Sequence, residues 1–122
     1  MSNQQTVAIL GASSDLNRYS YKAFQLLKEF GHNVLLISPK LESLEGYPVY
    51  ASLNLAPQAD TLTMYVGPAV SSKMTEEILR YRPRRIIFNP GSENIELQET
   101  LSAAGIKVEE ACTLVLLKTH QF

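Results

Sequence analysis

Thr6-Val-Ala-Ile-Leu-Gly-Ala-Ser-Ser-Asp-Leu-Asn-Arg-Tyr-Ser20 decides the fold. Five apolar or β-branched residues run into Gly11, a small polar loop follows, and an amphipathic segment continues from Tyr21 to Phe30. The period changes from that of a buried strand to that of a helix, with Ala23, Phe24, Leu27 and Phe30 on one face. Ser20 reads as the helix N-cap and Gly31 as the residue that stops it. A glycine between strand and helix lets backbone pass close to a phosphate. The helix beyond it presents unpaired N–H groups and the positive end of its dipole. The first twenty residues therefore read as a nucleotide-phosphate site.

The same alternation continues. Asn33–Ser38 is a second apolar strand, ended by Pro39-Lys40. Thr61–Val66 is a third, punctuated by Gly67-Pro68, with Val70, Met74, Ile78 and Tyr81 marking the face of the next helix. Arg85–Phe88 is a fourth, and Asn89-Pro90-Gly91 follows it. Ser92 or Asn94 caps a helix whose inner face is Leu97, Leu101 and Ala104, ended at Gly105. Ile106–Val108 is a fifth strand, and Cys112–Lys118 reads as a short helix. Between Leu41 and Leu55 only an extended Val49-Tyr50 piece stands out. Near-continuous apolar strands separated by helices describe a parallel sheet covered on both faces. The expectation is an α/β doubly wound five-stranded sheet of order 3-2-1-4-5 in three α/β/α layers, one domain over residues 1–122.

Length and charge narrow the function. The chain has 122 residues, 45% hydrophobic and 19% charged, with 11 Lys+Arg against 12 Asp+Glu. That balance gives no basic face for nucleic acid, and no apolar run approaches the roughly 20 residues a membrane span needs. The N-terminus lacks the basic and apolar regions of a secretory signal. A single cysteine, Cys112, excludes an internal disulfide and fits a reducing, cytoplasmic setting.

In an open parallel sheet the ligand site lies beyond the carboxyl ends of the strands. That rule selects the loops Gly11–Ser20, Ser38–Lys40, Tyr65–Pro68 and Asn89–Glu93. It places His32 and the Arg80, Arg82, Arg84, Arg85 cluster at the opposite edge, where the arginines complement a helix C-terminus. The first loop departs from G-x-G-x-x-G: Gly11 fills the first position, Ser13 the second and Leu16 the third. Ser13 and Ser14 add hydroxyls and Arg18 adds a charged fork. NAD sites carry a carboxylate after the second strand for the ribose diol. Here a cation, Lys40, follows Ser38-Pro39. It suits a phosphorylated ribose: the 3′-phosphate of coenzyme A or the 2′-phosphate of NADP. The glycine-bearing third and fourth loops form a groove suited to a slim arm such as pantetheine.

Gly11-Ala12-Ser13, Arg18, Ser20-Tyr21, Ser38-Pro39-Lys40, Gly46-Tyr-Pro-Val-Tyr50 with Ser52-Leu53, Asp60, Asn89-Pro-Gly-Ser-Glu-Asn94 and Glu110-Ala-Cys-Thr113 together resemble the stand-alone CoA-binding domain proteins. These are similar to the N-terminal CoA-binding domain of the succinyl-CoA synthetase alpha subunit. The resemblance runs from about Val7 to the end. It implies a Rossmann-like fold that binds coenzyme A or acyl-CoA, with Gly11, Ala12, Ser13, Arg18 and Ser20 on the phosphate side. It puts Ser38 and Lys40 by the phosphorylated ribose, and Val66, Gly67, Pro68, Asn89, Pro90 and Gly91 along the arm. Ser14 and Leu16 stand where many relatives carry a loop proline.

No catalytic constellation accompanies these loops: Ser-His-Asp, Cys-His and metal-ligand spacings are all missing from the sequence. The synthetase uses a phosphorylated histidine in a second domain, for which these 122 residues leave no room. Cys112 reads as a small packing residue ahead of a nucleophile or mixed-disulfide partner, and Glu93 as a partner of a helix dipole. The sequence thus points to a binding module. An NADP-dependent reductase or redox sensor and a ligand-free interaction domain are the alternatives. The apolar tail Thr113–Leu117 offers a face that a second copy could bury, as a homodimer.

Overall fold

The computed structural model describes residues 4–122; the first three residues of the expected 1–122 domain lie outside the described residues. Strand β1 (Thr6–Leu10) leads to helix α1 (Tyr19–Glu29) and back to β2 (Asn33–Ile37). A hairpin of β3 (Ser43–Leu44) and β4 (Tyr47–Tyr50) precedes a short 3-10 turn, Leu53–Leu55. Strand β5 (Thr61–Met64), helices α2 (Pro68–Ser71) and α3 (Thr75–Tyr81), β6 (Arg85–Phe88), α4 (Ile95–Ala103), β7 (Lys107–Glu110) and α5 (Thr113–Lys118) complete the chain.

The sheet has seven strands in the order β3-β4-β2-β1-β5-β6-β7. All pairings are parallel except the β3–β4 hairpin. This corrects the five-stranded 3-2-1-4-5 expectation. The Thr61 strand is not outermost; it lies between β1 and β6, with Val7 opposite Thr61 and Leu62 opposite Ile86. The outer edge of β2 is taken instead by Val49-Tyr50, where Ser38 N donates to Tyr50 O at 3.0 Å. Two consecutive residues in the left-handed region, Glu45 and Gly46, turn this hairpin.

Strand periodicity divides the core into two clusters, one on each face. Val7, Ile9, Val34 and Leu36 pack against Ala23, Phe24 and Leu27 of α1 and Leu117 of α5. Ala8, Leu10, Leu62, Met64, Ile86 and Phe88 pack against Ile78 and Tyr81 of α3 and Leu97 and Leu101 of α4. Phe24 is fully buried and meets Tyr47 edge to face at 5.2 Å, fastening the hairpin beneath α1. On the surface above, Glu45 receives hydrogen bonds from the Tyr21 hydroxyl, Gln25 and Lys28. Those donors hold its carboxyl below the ordinary range.

Local chemistry sets two boundaries differently from expectation. Ser20 is not the N-cap. Ser13 Oγ accepts from Asp15 N and Asp15 Oδ1 from Asn17 N, so the loop makes its own turns and α1 begins at Tyr19. The helical face expected from Val70 to Tyr81 is interrupted around Ser72–Met74. Ile78 and Tyr81 are buried, while Val70 is turned out and 51% exposed. Asn94 does cap α4, accepting from Leu97 N at 3.2 Å and donating to the Ser71 and Ser72 hydroxyls. Cys112–Lys118 forms the expected helix from Thr113.

The far edge of the sheet is structural. His32 Nδ1 accepts from Gln5 N at 3.0 Å, and burial together with nearby Arg85 lowers its pKa. Arg82 donates to Ala104 O at the end of α4, as a helix C-terminus favours. Arg85 bonds Thr61, Glu109 and the Phe122 carbonyl, with its guanidinium 4.5 Å from the Phe122 ring centre. No helix among the described residues is long and apolar enough to cross a membrane.

Candidate functional site

The connection leaving β1 runs through α1 to β2 on one face, and the connection leaving β5 runs through α2 and α3 to β6 on the other. The loops beyond β1 and β5 therefore diverge and open a crevice at their carboxyl ends. A cleft of about 690 Å³ occupies that place, within the size range of small-molecule sites.

The loop after β1 supplies Gly11, Ala12, Ser13, Ser14 and Arg18, and α1 supplies Ser20. Gly11 has φ +98°, and a Cβ there would meet Val66 Cγ1 at 3.0 Å and the Tyr65 backbone at 3.2 Å. The fold itself thus demands glycine, because two chain exits cross here. The Gly11 and Ala12 N–H groups both donate to Ile37 O at 3.0 Å, so neither is open to a ligand. The open donors lie further along. Among the described residues no side chain caps α1 and the N–H groups of Tyr19, Ser20 and Tyr21 have no acceptor at its positive end.

After β2, the buried Ser38 uses its Oγ to accept from Lys40 N at 3.1 Å. This turn aims Ser-Pro-Lys along the cleft wall, where Ser38 and Lys40 both line it. Lys40 and Arg18 are exposed and form no ion pair among the described residues. Among the described residues no Asp or Glu lines the cleft. Two unneutralised cations facing a helix N-terminus make an anion-attracting pocket.

The opposite wall holds Val66, Pro90 and Gly91. Gly67 and Pro68 are not in the lining; they start α2, Gly67 as its N-cap. Asn89, expected along the arm, is not in the lining either. It is 2% exposed, and its Nδ2 donates to Thr63 Oγ1 at 2.7 Å and Met64 O at 2.8 Å. Its Oδ1 accepts from Thr113 N at 2.9 Å. Asn89 is a bracket joining β5, β6 and α5 beneath the cleft. Glu93 accepts from Gly91 N at 2.8 Å and closes that loop, ahead of the first turn of α4.

Sequence reasoning left out Asn17, Tyr19, Pro39, Leu41, Tyr65, Val70 and Ser92, which also line the cleft. The strand-end rule contains the signal for all of these but Leu41 and Val70, since the others lie in loops it selects. Cys112 is a half-buried free thiol just before α5. Among the described residues no group of three or more His, Cys, Asp or Glu side chains could hold a metal.

Sheet order and cleft together define a mostly parallel, doubly wound α/β protein with a ligand crevice at its switch point. A protein-family comparison matches residues 5–118 to the CoA binding domain family, and the chain belongs to that family. No curated protein matches it. A solved structure of an uncharacterized protein is 37% identical, covers 98% of each chain and superposes with a TM-score of 0.92. A protein from Thermus thermophilus is 30% identical, covering 99% of this chain and 92% of its own, with a TM-score of 0.88. A conserved hypothetical protein from Pyrococcus furiosus is 26% identical, covering 87% and 92%, with a TM-score of 0.81.

Proposed function

We propose that this Rossmann-like domain binds coenzyme A, free or as an acyl thioester, in the cleft at the end of β1, β2 and β5. The observation that carries the reading is the pairing of Lys40 with Arg18 in a pocket lined by no carboxylate. Lys40 receives the 3′-phosphate of the ribose. The uncapped start of α1, with Arg18, Ser13, Ser14 and Ser20, receives the pyrophosphate. Val66, Pro90 and Gly91 line the path of the pantetheine arm. The domain acts as a cytoplasmic carrier, sensor or component of a larger assembly rather than as a catalyst. Family membership supports the coenzyme, and the chemistry of the wall supports the assignment of its two ends.

Calorimetry with coenzyme A, dephospho-coenzyme A and NADPH tests this. Coenzyme A binds tightest, and Lys40→Met weakens it about tenfold, the size of one charge-assisted hydrogen bond at an accessible site. The same substitution leaves dephospho-coenzyme A unchanged. Equal binding of coenzyme A and its dephospho form removes Lys40 from this role. Binding of NADPH alone favours a redox function on the same sheet.

A further inference from the structure

Tyr65 is a wall residue of the cleft, and its hydroxyl is buried. That hydroxyl is the one buried side-chain polar atom among the described residues without a hydrogen-bond partner. Beside it stand the free thiol of Cys112 and two threonine hydroxyls that bond to each other. Thr63 Oγ1 accepts from Asn89 and lies 2.8 Å from Thr113 Oγ1. Asn89 in turn spends both ends of its amide on Thr63, Met64 and Thr113. The Thr63 and Thr113 hydroxyls lie beside Tyr65 and favour its ionised form, but neither reaches hydrogen-bond geometry with it. Burial dominates and pushes the phenol up to about 12. Tyr65 is therefore a donor at neutral pH, never a base. A buried hydroxyl without a partner is costly, and phenylalanine would fill the same place without that cost. The hydroxyl fits a bound state better than the state described here.

We infer that Tyr65 reads the arm of the ligand: its hydroxyl turns from the wall and donates to a carbonyl oxygen there, an amide of pantetheine or the carbonyl of an acyl thioester. The inference rests on the coenzyme A reading of the cleft. It adds a specificity residue to that site, and its failure is separable from failure of the reading. The nucleotide end offers no carbonyl, so Tyr65 contributes nothing to binding of adenosine 3′,5′-bisphosphate.

Calorimetry on wild type and Tyr65→Phe with coenzyme A, acetyl-coenzyme A and adenosine 3′,5′-bisphosphate tests it, alongside thermal melting of both proteins. Tyr65→Phe should weaken a carbonyl-bearing ligand by about three- to tenfold, as loss of one neutral hydrogen bond does. Bisphosphate affinity should stay constant, and Tm should stay level or rise. Weakening of both thiol and thioester assigns an amide acceptor; weakening of acetyl-coenzyme A alone assigns the thioester. An equal change for all three ligands, or no change for any, overturns the role of Tyr65. If wild type binds none of the three, the cleft reading itself falls and takes this inference with it.

Discussion

Asn89→Ala should cost about 3 kcal/mol of folding stability and lower Tm by about 12 °C at this chain length. The residue is 2% exposed and makes three hydrogen bonds through its side chain, two to β5 and one to the start of α5. Truncation leaves Thr113 N and Met64 O unpaired in the interior. A buried group left in that state costs about 1–3 kcal/mol. The Thr113 N–H is the start of α5, so its loss also loosens that helix from the sheet. Binding should weaken less than stability falls, because Asn89 supports the cleft from beneath without lining it. Thermal or urea unfolding checks the first expectation. A variant within about 0.5 kcal/mol of wild type would mean that the bracket can be replaced by water.

The second large effect is at Gly11. Gly11→Ala places a Cβ 3.0 Å from Val66 Cγ1 and 3.2 Å from the Tyr65 carbonyl group, on backbone at φ +98°. The side chain of Val66 can yield, but the Tyr65 main chain is fixed by its bond to Leu10 O. Strain and overlap together cost about 2–4 kcal/mol. Because the colliding segments are both cleft walls, ligand affinity should fall with stability. Gly67→Ala is the control. Gly67 has φ −76°, and no atom lies within 4 Å of its Cβ position, so stability should hold or rise by up to about 1 kcal/mol. Equal stability of the two variants would contradict the crossing at Gly11. A ligand-free interaction domain predicts the same stability loss at Gly11 with no coenzyme affinity to lose.

The parts that were legible in the sequence share one property: their side chains announce their environment. Thr6–Leu10, Asn33–Ile37 and Arg85–Phe88 are apolar on both sides because the sheet is covered on both faces. Gly31 and Gly105 ended their helices at positive φ, as expected of glycine there. Strand order was harder. Val49-Tyr50 is a half-buried strand at the sheet edge, too short to declare a period, and it decides which side of β1 receives Thr61–Met64. Ser20 misled because a serine before an apolar face resembles a cap, whereas the loop's own Ser13 and Asp15 turns had already set where the helix begins. Asn89 shows a related limit. Its position at a strand end is that of a ligand contact, but three internal hydrogen bonds consume its polar capacity, and sequence alone does not count partners. Tyr65 is the reverse case, an apparently apolar wall residue whose importance lies in an unused hydroxyl.

The most direct measurement is a crystal structure of the protein grown with coenzyme A. The account predicts the adenosine 3′-phosphate against the Lys40 ammonium, the pyrophosphate at the start of α1 beside Arg18, and the arm running past Val66 toward Gly91. Density for the coenzyme elsewhere on the molecule, or in this cleft with Lys40 directed into solvent and the phosphate unmet, would contradict it.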